Sequence, residues 1–231
     1  NKVSTLCKKH NIKLAVDNTF MSPYGQSPLN LGADIIMHSA TKYIGGHSDL
    51  IAGVLITNND SIAEQLYFIQ KSAGAVLSPF DSWLLLRSTK TLGIRVQKQS
   101  DNAIELAQRL SEHSKISSVI YPGLESHDQF KLASIQQLNP KGDSIYGSMI
   151  SLRLGSIEKR DHFLSRVKLF TLAESLGGVE SLVCVPYKMT HGSIPDKTKE
   201  DMGLTKDLVR LSVGIEDVED LYADIINSLD Q

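Results

Sequence analysis

The sequence predicts an α/β layered protein followed by a smaller α+β part. Three observations carry that expectation. Short apolar strands alternate with an amphipathic helix between residues 14 and 70. A long helical stretch then runs from Pro79 to His113. Beyond it, alternating strands at 149–154 and 208–213 are mixed with helices. The natural division falls inside the long helical stretch, so the expected units are residues 1–94 and residues 95–231.

The elements follow in order. Asn1 to His10 reads as a helix, with Val3, Leu6 and Cys7 at helical spacing and Asn11 as its stop. Lys13 to Asp17 is an apolar strand that ends on an acid, and Asn18 to Asn30, with Pro23, Gly25 and Pro28, reads as a loop. Asp34 to His38 is a second strand, followed at once by Ser39, Ala40, Thr41, Lys42 and the glycines Gly45 and Gly46. Gly53 to Thr57 is a third strand, and Ser61 to Gln70 a helix with Ile62, Leu66 and Ile69 inward. The long stretch begins at Pro79 and carries Trp83 to Leu86, with a kink expected near Thr91, Leu92 and Gly93. Val96 to His113 continues it with an apolar stripe of Ile104, Leu106, Ala107 and Leu110. A short strand end at Val119 and Ile120, a helix at Gln129 to Gln137 and a strand at Met149 to Leu154 follow. Ser156 to Ser165 reads as helix, Leu169 to Leu172 and Leu208 to Val213 as strands, and Asp217 to Leu229 as a closing amphipathic helix. The chain opens on Asn, already inside a helical pattern, so a piece of a longer protein is expected.

Composition narrows the function classes. Lys plus Arg is 24 against 26 for Asp plus Glu, a net charge of -2, which argues against a nucleic-acid grip and gives no polybasic membrane patch. Hydrophobic residues at 41% and charged residues at 22% are those of a globular chain. Apolar runs such as Leu84-Leu85-Leu86 are too short to span a bilayer. Cys7 and Cys184 cannot form a disulfide framework and read as small core residues, which suits a reducing compartment, most simply the cytoplasm. The histidines and cysteines lack metal-ligand spacing, so no metal site is expected.

Four positions could carry chemistry. Lys42 follows a strand between Ser39 and Thr41, where an amine held uncharged could attack a carbonyl and the hydroxyls could meet a phosphate; it could equally be a solvated lysine in a polar loop. Asp17 ends the preceding strand, where a carboxylate could keep a pyridine nitrogen protonated, or simply form a turn. Arg210 interrupts an apolar strand and suits a carboxylate clamp, or an exposed ion pair. Glu174 and Ser175 precede Gly177 and Gly178, which permit close backbone approach to a ligand, or a plain turn.

Together these segments resemble one family, the Cys/Met-metabolism pyridoxal-phosphate enzymes. The run from Asp34 to Ser48, with Ser39, Thr41 and Lys42, is similar to the family's lysine signature, and Val16 to Phe20 to its pyridine-nitrogen motif. Thr171 to Leu182, with Met189-Thr190-His191, resembles its substrate loop, and Val209 to Asp217 its carboxylate-binding arginine strand. The likeness spans essentially the whole chain. It implies a fold-type I pyridoxal-phosphate-dependent transferase. Residues 1–94 would be the C-terminal part of a large cofactor domain with a mixed, mostly parallel sheet, and residues 95–231 a small C-terminal domain. It implies pyridoxal 5'-phosphate as cofactor, with Lys42 as the cofactor lysine and proton carrier and Asp17 at the ring nitrogen. Thr19 would lie near the ring oxygen, with Ser39 and Thr41 on the phosphate. Ser175 and Arg210 would hold the substrate α-carboxylate, and Glu174 would help choose its distal group. Glu174 resembles the gamma-lyases and gamma-synthases that act on cystathionine alike, and the chain as a whole is most similar to the fungal-type gamma-lyases. That implies gamma-elimination of cystathionine to cysteine, 2-oxobutanoate and ammonia, in a homotetramer, with gamma-replacement on an activated homoserine ester as the alternative. A third reading is an inert piece lacking an N-terminal part that supplies the rest of the site. Two segments depart from the family pattern. Arg87 to Leu92 carries Ser88 and Thr89 where glycine and leucine are usual, and Val183-Cys184-Val185 replaces a stretch that often holds an acid.

Overall fold

The structure is a computed structural model and describes residues 1–229. The last two residues of the expected second unit, 230 and 231, lie outside the described residues.

Two sheets organise the chain. The first contains β1 (Ala15–Asp17), β2 (Ile35–Ser39) and β3 (Gly53–Ile56), in that order. β1 runs parallel to β2, with Asp17 opposite Met37, and β2 runs antiparallel to β3, with Ser39 opposite Gly53. The sheet is therefore mixed, and the C-terminal ends of β1 and β2 lie side by side. α1 (Lys2–Lys9) precedes β1, and Cys7 on it is only half-buried, not the core residue expected. α3 (Asp60–Ala73) follows β3; the Asn59 side chain caps it by accepting from the Ile62 amide, and Gly74 at φ 70° closes it.

Two expectations in this unit are corrected. The segment after Asp17 is not all loop. It contains α2 (Ser22–Gly25) and a 3-10 turn over Pro28–Leu31. Both prolines that signalled a loop sit in the first turn of these helices, Pro23 second and Pro28 first, where a missing N–H costs nothing. Ile69 does not point inward: α3 has no buried residue, and Ile69 is 60% exposed. β3 and α3 border an open apolar groove of about 680 Å³, lined by Val54, Leu55, Leu66 and Ile69 among others.

The long helical stretch is two helices, α4 (Pro79–Thr89) and α5 (Leu92–Ser111), broken at Lys90 and Thr91. Ser78 caps α4, its hydroxyl accepting from the Asp81 amide at 3.1 Å. α5 crosses from the first sheet to the second. The second sheet contains β4 (Ser118–Ile120), β5 (Met149–Arg153), β6 (Thr171–Leu172), β7 (Leu182–Cys184) and β8 (Leu208–Ser212), in the order β4-β5-β8-β7-β6. All its pairings are antiparallel except β6 with β7. β7 escapes the sequence pattern because all of its residues are buried, so nothing alternates. Around this sheet lie α6 (Phe130–Gln136), α7 (Ile157–Arg166), α8 (Asp196–Asp201) and α9 (Val218–Leu229).

The main core sits here. Leu106 and Leu110 from α5, Ile150 and Leu152 from β5, Val209 and Leu211 from β8, and Leu221 and Ile225 from α9 are all 0% exposed. Each such side chain contributes about 1.5–3 kcal/mol by leaving water. Cys184 is buried, as expected. A smaller cluster of Met21, Tyr43, Val96, Ile145 and Leu176 joins the two parts. Among the described residues no helix is long and apolar enough to cross a membrane.

Candidate functional site

The parallel pairing of β1 and β2 places the residues after both strands at one edge. The Asp17 carboxylate is exposed there and accepts from the Thr19 amide at 2.9 Å. Thr19 is buried, and its hydroxyl accepts from the Ser39 amide at 2.8 Å, which staples the two strand ends together. β2 then turns sharply. The Lys42 amide donates to the Ser39 carbonyl at 3.1 Å, and the Gly45 amide to the Ala40 carbonyl at 2.7 Å. Lys42 emerges half-buried from this turn, and its Nζ donates to the Ser175 hydroxyl at 3.1 Å. Residues far apart in sequence, on the two sides of α5, thus meet at one point.

The Ser175 loop is seated on the Lys42 turn. The Val179 amide donates to the Gly46 carbonyl at 2.9 Å, and Ser48 hydrogen-bonds the Glu180 carboxylate. Gly177, at φ 77°, lies so close that a Cβ there would fall 2.8 Å from the Tyr43 backbone nitrogen. Tyr43 is buried and its hydroxyl shares a 2.7 Å hydrogen bond with Ser148. Burial pushes its phenol up to about 12, against the Ser148 hydrogen bond and the nearby Arg210 charge, so it stays protonated at neutral pH.

Arg210 alternates with Val209 and Leu211, both 0% exposed in the main core, so its guanidinium stands on the other face of β8. Ser212 shares that face and accepts from the Gly177 amide at 2.9 Å. Cys184 sits directly across from Arg210 in the β7–β8 register. Burial pushes the Cys184 thiol up, and the charge and hydrogen bond of Arg210 oppose that. No acidic side chain forms an ion pair with Arg210 among the described residues.

The arrangement therefore brings Lys42 to Ser175 directly, links Asp17, Thr19 and Ser39 in a chain, and sets Arg210 across from Cys184. Thr41 is engaged elsewhere: its hydroxyl donates to the Ala52 carbonyl at 3.3 Å and accepts from the Ala52 amide at 3.0 Å. Glu174 is exposed at the rim. A crevice of about 770 Å³ opens beside these groups, lined by Thr41, Ser175, Leu182 and the acids Asp49, Asp81 and Glu180 among others. Sequence reasoning passed over Tyr43, Ser148, Ser212 and the buried polar residues of α5. A charged Arg95 between the apolar Ile94 and Val96 was the one available signal for the last group.

The model of the Cys/Met metabolism PLP-dependent enzymes matches residues 1–230. The chain belongs to that family. Its cofactor is pyridoxal 5'-phosphate. A cystathionine gamma-lyase of Saccharomyces cerevisiae is 49% identical, covering 100% of this chain and 59% of its own length. The solved structure of the yeast gamma-lyase superposes with a TM-score of 0.93 at 49% identity, over 99% of this chain and 58% of that one. A cystathionine beta-lyase of Lactococcus lactis is 47% identical over 100% of this chain and 59% of its own. A cystathionine gamma-synthase of Mycobacterium leprae is 48% identical over 98% of this chain and 56% of its own. The chain thus spans less than two thirds of the length of these relatives. They agree on cystathionine chemistry and differ in the reaction.

The donor set present fits the cofactor. It offers an amine, an exposed carboxylate and the side chains of Ser39 and Thr41 along one edge of a sheet, and the Ser39 hydroxyl has no partner among the described residues.

Proposed function

We propose that this chain is part of a pyridoxal-phosphate-dependent carbon–sulfur lyase. It cleaves cystathionine, with water, to cysteine, 2-oxobutanoate and ammonia. One observation carries the reading: the Lys42 amine lies 3.1 Å from the Ser175 hydroxyl, on a loop tied through Gly177 to Ser212, which shares the face of β8 with Arg210.

Pyridoxal phosphate supplies an electron sink that stabilises negative charge at the substrate's α-carbon. The chain's own residues do the rest. Asp17 would hold a proton at the ring nitrogen, and Ser39 would donate to the phosphate. Thr41, whose hydroxyl is held by the Ala52 backbone, would have to give up that contact to bind the same phosphate. Lys42 would anchor the cofactor, and its amine would move protons one at a time: the proton taken from Cα is passed on before one is taken from Cβ, and that one goes to the departing sulfur. Gamma-elimination needs one mobile base near both carbons, and a flexible amine meets that need. Tyr43 cannot substitute for it, because burial keeps its phenol protonated. Arg210 and Ser175 orient the α-carboxylate, and Glu174 at the rim meets the distal ammonium.

The gamma-synthase relative, at 48% identity, keeps a second reading in view, gamma-replacement on an activated homoserine ester. The test is direct. The purified chain, and the same chain extended to its relatives' length, are loaded with pyridoxal phosphate and given cystathionine or an activated homoserine ester with cysteine. Release of 2-oxobutanoate from cystathionine supports the lyase, and cystathionine formation supports the synthase. Lys42→Ala should abolish both the cofactor's visible absorbance band and turnover. A Lys42→Ala protein with the band and the rate unchanged sinks the assignment of Lys42.

A further inference from the structure

Helix α5 carries buried polar side chains where an apolar stripe is the rule. Arg95, Gln99 and Asn102 stand one above another on one face, at 4%, 0% and 1% exposure. Among the described residues Arg95 forms no ion pair and, like Gln99 and Asn102, ends on backbone carbonyls. Arg95 donates to the Tyr43 carbonyl at 2.7 Å, the Ile44 carbonyl at 3.2 Å and the Ser88 carbonyl at 3.0 Å. Its Nε donates to the Thr91 hydroxyl at 3.1 Å. Gln99 donates to the Gly178 carbonyl at 2.6 Å. Asn102 donates to the Gly214 carbonyl at 3.1 Å and the Glu216 carbonyl at 2.9 Å.

All of those carbonyls but that of Ser88 belong to segments that carry or follow the candidate site. Tyr43 and Ile44 directly follow Lys42, Gly178 closes the loop that starts at Ser175, and Gly214 follows the strand of Arg210. The fit is close: Gly46 stands at φ 70°, and a Cβ there would fall 2.1 Å from an Arg95 nitrogen. A buried guanidinium satisfied by neutral carbonyls is a poor way to gain stability, since an apolar side chain of similar volume avoids the desolvation. It is a good way to fix loops against a stiff rod.

We propose that Arg95, Gln99 and Asn102 are positioning residues that set Lys42, Ser175 and Arg210 in one mutual geometry. This rests on the reading in which those three act on cofactor and substrate. The test uses Arg95→Lys, Gln99→Met and Asn102→Leu in the cofactor-loaded protein. kcat and KM are measured separately, and amide hydrogen exchange is followed without cofactor. Small misplacements of reacting groups are costly, so Gln99→Met and Asn102→Leu should each raise KM about tenfold while leaving the cofactor's absorbance unchanged. Arg95→Lys should weaken cofactor binding and lower kcat together. Exchange should quicken at the Gly177 and Val179 amides in Gln99→Met and at the Gly45 and Gly46 amides in Arg95→Lys. Variants that lose only melting temperature, with kcat, KM and local exchange unchanged, overturn the proposal. If Arg95→Lys does not fold, the near-isosteric Gln99→Met decides alone. If the unmutated protein shows neither cofactor band nor turnover, the functional reading fails, and the local exchange still decides whether the polar stripe positions the loops.

Discussion

Arg210 is a half-buried cation facing a thiol rather than an acid. That pairing leaves its fork open to an incoming carboxylate, a charge-assisted hydrogen-bonding partner. Replacing Arg210 by Ala should cost about 2 kcal/mol of substrate binding, roughly thirtyfold in KM. Cys184→Asp should also raise KM, with Arg210 intact, because a built-in carboxylate competes for the guanidinium. If Cys184→Asp leaves KM untouched, Arg210 does not face the substrate. A second residue sets a pH limit. His38 is 1% exposed, and its Nδ1 has no partner among the described residues. Burial pushes its pKa below the usual 6.5, against the pull of Asp17. The unfolded chain therefore binds a proton at this residue at a pH where the folded chain does not. The stability from this group is complete above about 6.5 and is lost as the pH falls below it. His38→Gln should flatten that part of the curve of unfolding free energy against pH. An unchanged slope in His38→Gln would show that other groups produce it.

The turn after β2 is the element on which the site depends. Gly46 is at φ 70° with Arg95 pressed against it, so Gly46→Ala meets both a left-handed backbone and a side-chain collision. The backbone alone costs about 1–2 kcal/mol. A drop of roughly 2–8 °C in melting temperature should follow, measured by calorimetry. Cofactor affinity should fall with it, since the same turn carries Lys42. Elements of this kind were legible in the sequence where a local rule sets them. β2, β5 and β8 alternate or run apolar between turn signals, and α5 shows its stripe in Leu106, Ala107 and Leu110. Lys42, Asp17 and Arg210 stood out because each breaks or ends such a pattern. What stayed hidden is long-range. β7 is buried on both faces and gives no period, and Ile69 fits a helical stripe but meets no core. The contact between Lys42 and Ser175 joins residues on opposite sides of α5, and no window of sequence contains both. Thr41 was readable as a hydroxyl near Lys42, but not as one already engaged with Ala52.

The molecule as a whole is unequal in its packing, and that should govern how it opens. The second sheet has fully buried residues on β5 and β8 and is covered by α5 and α9. The first sheet has no buried residue on β1 or β3, and its helix α3 has none at all. The free energy of opening an amide follows the apolar packing that must be disrupted to expose it. Native-state hydrogen exchange should therefore show β5, β8 and α9 opening only with global unfolding, while α3 and β3 open well below it. The Lys42 turn makes this a sharper test. It follows a strand of the weaker sheet, yet its carbonyls at Tyr43 and Ile44 are held by Arg95 on α5, and Gly46 accepts from Val179. If those ties dominate, the amides of Gly45 and Gly46 should exchange with α5 and the second sheet, not with β3. Equal protection across α3 and β5 would contradict the packing argument. Gly45 and Gly46 exchanging as fast as α3 would show that the turn belongs to the first sheet, and that Lys42 is held no more firmly than the sheet it leaves.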